Sequence, residues 1–394
     1  MCNVSLVRGL SIFALGSLLA GATLYAGCVG DNPADITPTP EADGAAPCTG
    51  PGCTNPDGGG PDSPAGDSSP TDGGGDAGPP ACTKIQVTTL AGSVEGNTNG
   101  PGATAKFNSP EGITVDPGTG TLFVADTGNQ LVRKVLADGT TSTYSTLVSF
   151  GGSSTGAWIN PRHVLFSEYY SGLFISDHGH DQVFKVVGAA GGNGTSDFAL
   201  GSLQAFAIQP VTHRKFVVSS SRVAQRTPAD PGIEATVFSG TFASGFVDGA
   251  GADARYANLL DLAFDGETNL YVADQGNHRI RKVIVTAGAT YGDVTTFAGS
   301  ATAGHVDGTG AAAQFEGPYA FAIDQVTHLN YVADGATIRV VDPTGKVTTL
   351  VGSNAAYVDG DGCTAKFINV KGIVKFANEL YVLDVNRIRK IVLN

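Results

Sequence analysis

Catalytic signatures are missing from these 394 residues: there is no GxSxG, no P-loop, no HExxH and no glycine-rich dinucleotide fingerprint between a strand and a helix. No CxxC pair with matching His occurs, which argues against a zinc site. Basic residues are scarce, with 23 Lys and Arg against 36 Asp and Glu, so nothing points to a nucleic-acid partner. Long apolar runs are also rare; the one that exists, Leu10 to Ala26, lies near the start. Tryptophan occurs once, as Trp158.

The termini differ sharply from the rest. In residues 1–27 Arg8 is the only charge, the apolar run follows, and the segment ends in Leu24-Tyr25-Ala26-Gly27-Cys28. A short basic region, an apolar stretch and small residues at a cut site describe a secretory signal peptide. The Ala-Gly-Cys ending resembles a bacterial lipobox, with Tyr25 where that pattern usually has Leu. The resemblance implies that Cys28 becomes a lipid-bearing first residue, and Val29 rather than Asp after it implies the outer membrane of an exported envelope protein. An ordinary cleaved signal and an N-terminal membrane span stay open as alternatives. Residues 28–82 follow, rich in Pro, Gly, Asp, Ser and Thr, with nine acidic residues from Asp31 to Asp76 and no Lys or Arg. Such a stretch cannot bury enough apolar surface to offset its ordering entropy and reads as an extended, disordered linker. It holds most of the net charge of −13: Cys82 to Asn394 keeps only −5 once Arg8 and the linker are set aside.

Cysteine usage fits an oxidising compartment. Beyond Cys2 and Cys28, the four thiols Cys48, Cys53, Cys82 and Cys363 allow three pairings. Cys48 and Cys53, in CTGPGC, can close a small ring, which would leave Cys82 and Cys363 to join the two ends of the folded part. Their starting points suggest opposite faces of the domain.

From residue 83 to 394 the sequence is organised by a repeat. Its clearest copy is LYVADQGNHRIRKV (Leu270 to Val283), with others at Leu122 to Val135, Leu173 to Val186, Leu329 to Val341 and Leu380 to Ile391, and a decayed one at Lys215 to Arg226. Aligned on Asp126, Asp177, Ser219, Asp274, Asp334 and Asp384, the steps are 51, 42, 55, 60 and 50 residues, a period that means a repeat architecture. Each copy reads as two short strands and a polar turn. The recurring Asp is expected to accept from backbone amides two residues on, and Gly128 or Gly276 to take positive φ. In the first unit the strands are expected at Gly112 to Asp116, Leu122 to Asp126, Leu131 to Val135 and Thr140 to Leu147. Before the first strand most units carry a second signature: NGPGATAKFNSP (Asn99 to Pro110), then DGAGADARYANL from Asp248, DGTGAAAQFEGP from Asp307 and DGDGCTAKFINV from Asp359. Phe107, Tyr256, Phe315, Phe367 and, in the second unit, Trp158 read as packing plugs between sheets. Asp359 and Asp361 lack the spacing of a calcium loop and read as turn formers.

Taken together, DGxGxxAxF, PxGIxVD, LYVAD and GNHRIRK resemble NHL repeats, over roughly Ile85 to Asn394. The resemblance implies a β-propeller. Physical reasoning agrees, since four-stranded sheets with apolar faces must stack on neighbours and a closed ring leaves few edges. The fold expected is all-β: a six-bladed propeller of four-stranded antiparallel blades, with Gln86 to Gly92 completing the last blade beside Arg389 to Asn394.

Function is less legible. His213, His278 and His328 read as structural, and the HxH of His178 and His180 as a solvated turn; no catalytic residue, metal site or cofactor is expected. The inner-strand starts vary between units where the scaffold repeats, as expected for function grafted on a repeat. Glu111, Arg162, His163, Asp261, Tyr319 and Lys371 are therefore the candidate ligand-binding residues, at the mouth of a central channel. Two classes follow: a noncatalytic envelope module binding protein, peptide or glycan, or a metal-dependent hydrolase, lactonase or lyase of the kind known among six-bladed relatives. The absence of a fourth ligand beside Glu111, His163 and Asp261 favours binding. The oligomeric state is left open.

Overall fold

The computed structural model describes residues 85–393 except 150–154, 188–193, 200, 227–235, 267 and 354. The chain divides at residues 73 and 74, and the described residues all fall in the second unit. Among them no helix is long and apolar enough to cross a membrane.

Six sheets, each with a core of four antiparallel strands, make up the unit. Blade 1 is Gly112–Asp116, Thr121–Asp126, Leu131–Val135 and Thr141–Ser145, short β-branched and aromatic segments cut by Gly, Asp and Asn turns. The remaining blades start from inner strands Pro161–Ser167, Leu203–Ile208, Leu259–Phe264, Pro318–Ile323 and Val370–Phe376. Each inner strand packs beside the next, and the sixth returns to the first. Residues expected to extend the outer strand of blade 1 instead leave it: Leu147–Ser149 crosses to blade 2 and pairs with Gly194–Ala199. The cause is Val148, fully buried in the cluster around Trp158 and Phe184 of blade 2.

Closure follows the expected route. Gln86–Gly92 runs antiparallel to Arg387–Val392, from Gln86 opposite Val392 to Gly92 opposite Arg387. Asp359 fastens the joint, accepting from Thr89 N–H at 3.0 Å and Thr89 Oγ1 at 3.1 Å. A two-residue strand, Gly360–Asp361, adds outside Gln86 and Val87, and Gly362 N–H donates to Ile85 O at 2.9 Å. The loop of Cys363 therefore lies beside the start of the closing strand, not across the domain from it as expected. Asp361 caps this turn through the amides of Cys363 and Thr364. Cys363 is disulfide-bonded; Cys82, Cys48, Cys53 and the anchor candidate Cys28 lie outside the described residues.

The core is distributed over the blade interfaces, one apolar cluster at each. The predicted plugs are central to it: Phe107, Tyr256, Phe315, Phe367 and Trp158 have no exposed surface. Each such ring is worth roughly 2–3 kcal/mol in burial. Trp158 packs edge-on against Phe184 at 5.4 Å, and its Nε1 donates to Ser145 Oγ at 3.3 Å.

Two details of the repeat differ from expectation. The recurring Asp reaches mainly upstream: Asp126 Oδ1 accepts from Asn108 N–H, Asp274 from Ala257 N–H and Asp334 from Gly317 N–H, each at 2.8 Å. Only Asp177 also takes the amide two residues on, that of Gly179. In blades 1, 4, 5 and 6 the second oxygen of the recurring Asp binds a buried arginine, as in Arg133–Asp126 and Arg281–Asp274, both at 2.7 Å. The guanidinium stacks over the plug, with Arg133 5.2 Å from the Phe107 centroid and Arg389 5.0 Å from that of Phe367. An Asp fixed by two strands and an entry loop is a clasp holding inner strand to turn. The turn glycines, in contrast, do not take positive φ; Gln130 and His278 do, at 57° and 55°. Gly128 and Gly276 are glycine because a Cβ would collide with Asn108 and Ala257 of the entry loop.

Candidate functional site

One backbone device recurs at the channel mouth. In blade 2, Pro161 pairs with Asp177 and His163 with Ser176, so Arg162 bulges out of register. The same shift occurs between Leu203 and Ala205, Leu259 and Leu262, Pro318 and Ala320, and Val370 and Gly372. The bulged residues are Gln204, Leu260 with Asp261, Tyr319 and Lys371. Bulges re-aim side chains next to functional sites. Here they turn each inner-strand start toward the axis. Glu111 lies one residue before its strand, tied by its N–H to Ala125 O at 3.2 Å. Gly112 and Gly372 let neighbouring strands approach, since a Cβ on Gly112 would collide with Arg162 O and His163.

All six predicted site residues line one cavity of about 240 Å³ that runs down the channel. Arg162 is the hub of the upper layer. Its Nε donates to Glu111 Oε2 at 2.5 Å, one terminal nitrogen to Gln204 Oε1 at 2.6 Å and the other to the Tyr319 hydroxyl at 3.3 Å. Lys371 Nζ donates to the remaining Glu111 oxygen at 3.0 Å and lies 6.0 Å from the Tyr319 ring centroid. Burial opposes ionisation of Glu111, but the Arg162 and Lys371 charges outweigh it and hold its carboxyl below the ordinary range. Tyr319 is pushed the other way, by burial and then by the Glu111 charge, and keeps its proton. Two cations face one carboxylate in this layer, leaving an excess of one positive charge and unspent donors on Arg162 and Lys371.

A second layer lies just below. Asp261 accepts from the amides of Leu262 at 2.8 Å and Phe321 at 2.9 Å, and His163 Nε2 sits 3.4 Å from its Oδ1. His163 packs edge-on against Phe206, and its buried Nδ1 makes no hydrogen bond among the described residues. Further down, the wall is apolar, with Ile113, Leu165, Ile208, Phe264, Ile323 and Val374. The arrangement can orient a ligand's acidic or hydrogen-bonding group at the mouth and hold an apolar portion below.

The other candidates fall elsewhere. His180 Nδ1 contacts Asp177 Oδ2 at 2.8 Å, replacing the Asn that does this in Asn129–Asp126 and Asn277–Asp274, and His178 Nδ1 contacts Leu203 O. Both are turn residues, as expected. Gln204 joins the site without a sequence signal, because a neutral amide shows little until its partner, Arg162, is known. Exposed aromatics on the loops at this end were missed altogether: Phe242 lies under Arg222 at 3.7 Å, Phe246 under Arg279 at 3.9 Å and Tyr357 under Arg387 at 3.6 Å. Their signal was the variable position in the glycine-rich loop after each outer strand.

Comparisons with known proteins agree with this geometry at the level of the repeat. Residues 107–135 match the model of the NHL repeat. NHL repeat-containing protein 2 of Gallus gallus is 27% identical over 318 residues, covering 67% of this chain and 43% of that protein. The chain thus spans less than half the length of the curated relatives it matches. Among solved structures, an auxiliary nutrient binding protein from Bacteroides thetaiotaomicron superposes with a TM-score of 0.63 at 19% identity, covering 78% of this chain and 76% of that one. A gluconolactonase from Xanthomonas campestris gives 0.54 at 13% identity, covering 79% and 90%. At such identities the likeness is one of fold alone.

Proposed function

We propose that this protein is a lipid-anchored module of the bacterial cell envelope, attached to the outer membrane through Cys28, whose propeller binds a protein, peptide or glycan at the channel mouth without catalysing a reaction. The fold is shared with proteins named for nutrient binding and for lactone chemistry, so it does not choose between binding and hydrolysis. The occupancy of the carboxylates carries the choice. Both oxygens of Glu111 are held by Arg162 and Lys371, and both of Asp261 by backbone amides. A metal held by these carboxylates would need their oxygens directed at the ion. Here the directed groups are instead the cations and the Tyr319 hydroxyl, which suits recognition of an acidic or hydroxylated group on a ligand.

The test is retention of ligands from cell-envelope protein and glycan extracts by the immobilised propeller, compared with Arg162→Ala and Lys371→Ala. Each variant should weaken retention about tenfold or more, the value of a lost charge-assisted hydrogen bond. A verified ligand held equally well by both folded variants would remove the channel mouth as the site.

A further inference from the structure

Blade 5 departs from its neighbours in a way that opens space. In blades 1 and 4 the turn after the recurring Asp contains an Asn that bridges two places: Asn129 Nδ2 donates to Asp126 and to Gly96 O, and Asn277 Nδ2 to Asp274 and to Gly245 O, all at 2.8 Å. That Asn closes the gap between turn and glycine-rich loop. In blade 5 the turn is two residues shorter, running Asp334-Gly335-Ala336-Thr337, and the Asn is gone; His305 of the loop reaches Asp334 at 3.3 Å and Thr337 at 3.4 Å in its place. Blade 6 has an equally short turn but fills the gap with Tyr357 stacked on Arg387. Blade 5 has the small residues Gly335, Ala336 and Thr337 at the turn, with His305 and Glu316 beside them, and a cleft of about 880 Å³ lies there.

The walls of this cleft have a definite chemistry. His305, from the glycine-rich loop, stands between Asp334 at 3.3 Å and Glu316 at 3.2 Å. The hydrogen bond to Asp334 outweighs desolvation and, with the Glu316 charge, holds the imidazole above its ordinary range. Both carboxylates therefore have the imidazole as a neighbour. Arg339 faces Asp334 from the third strand, and among the described residues no Lys or Arg lines the cleft. Gln275, Ser353, Asn369 and Tyr319 add amides and hydroxyls, with Tyr319 shared with the channel mouth. Glu316 stays 58% exposed, so its oxygens are open to a ligand.

We infer that the blade 5 cleft is a second binding site, for a neutral saccharide of one or two sugar units. The lack of Lys and Arg in the lining disfavours acidic ligands, and the Arg339 and His305 side chains already set against the carboxylates disfavour amines. A ligand whose hydroxyls both donate and accept fits the mixture of carboxylate, amide and hydroxyl groups, and the volume is within the range of small-molecule sites. Adjacent sugar hydroxyls can donate together to the Glu316 carboxylate, while Asn369 offers both an N–H and a carbonyl and Gln275, whose Oε1 accepts from Asn258 at 2.7 Å, offers its N–H.

The experiment is saturation-transfer NMR and calorimetry on the propeller-containing protein with glucose, galactose, mannose, cellobiose, maltose and lactose, each up to about 20 mM, which covers millimolar affinities. At least one sugar should bind, and Glu316→Gln should weaken it about tenfold, as expected for hydrogen bonds to a charged acceptor. Ser353→Trp, which fills the cleft, should abolish binding; should it fail to fold, the solvent-facing Glu316→Gln decides alone, with melting curves to confirm its integrity. No saturable binding of any sugar overturns the inference. So does sugar binding untouched by Glu316→Gln, or binding of spermidine with no sugar bound.

Discussion

Four buried arginines, Arg133, Arg281, Arg339 and Arg389, are the most costly side chains in the molecule to place. Burial pushes the Asp126, Asp274 and Asp384 carboxyls up, against amide and guanidinium donors that pull them down. A buried pair of this kind is strongly destabilising to break, yet often nearly neutral to replace as a whole. The chain contains its own demonstration. Blade 3 has lost both partners, with Ser219 in the Asp position and Ala224 in the Arg position, both buried. Blade 2 has lost only the arginine, with Phe184 in its place, and Asp177 is held by the amides of Ile159, Asn160 and Gly179 and by His180. Arg281→Ala should therefore cost about 3–5 kcal/mol, by stranding Asp274. Asp274→Ser with Arg281→Ala, which copies blade 3, should cost less than the single change. Urea unfolding of the double-mutant cycle checks this; additive losses would mean that Asp274 and Arg281 are uncoupled and would overturn the stranding account.

At the scale of the element, the blades were legible because alternation, turn residues and repeat phase all agree, and Gln86–Gly92 could be assigned as a closing strand from its likeness to Val294–Gly299. The clasp was not legible, since the Arg in GNHRIRK reads as solvated until its third-strand position is seen to face inward. Nor were the bulges, because an extra residue at Arg162 or Tyr319 leaves the apolar pattern intact and shows only in the pairing. The same bulges explain why choosing positions by repeat phase nevertheless gathered the six candidates at one mouth. Removal of the closing strand exposes the Arg387–Val392 edge and takes the buried side chains of Val87 and Ala91 out of the core clusters on either side of blade 6. A chain beginning at Ser93 should lose several kcal/mol and aggregate through that edge. Thermal melting with light scattering tests it, and an unchanged transition would show that the ring does not depend on this strand.

For the whole molecule, the acidic linker and the propeller answer different physical requirements. Residues 28–82 carry like charges with almost no large apolar residue, which suits a spacer, whereas the propeller presents one end with a charged mouth, a polar cleft and stacked aromatics. All three features occur at the end where the inner strands begin, because antiparallel blades place the inter-blade loops and the second turn of every sheet there. A tether that holds such a module at a surface need only keep that end accessible. Under the envelope anchoring proposed above, such a tether would raise the effective concentration for a ligand moving along the same surface. One acyl chain binds a membrane only marginally, so firm retention requires more than one chain on the anchor or a spanning segment. Replacement of Cys28 distinguishes the two. Cys28→Ala should move the protein from the membrane fraction to the soluble envelope fraction, with the propeller's melting transition unchanged. Firm retention of this variant in membranes, resistant to high salt, would instead identify residues 10–26 as an uncleaved span.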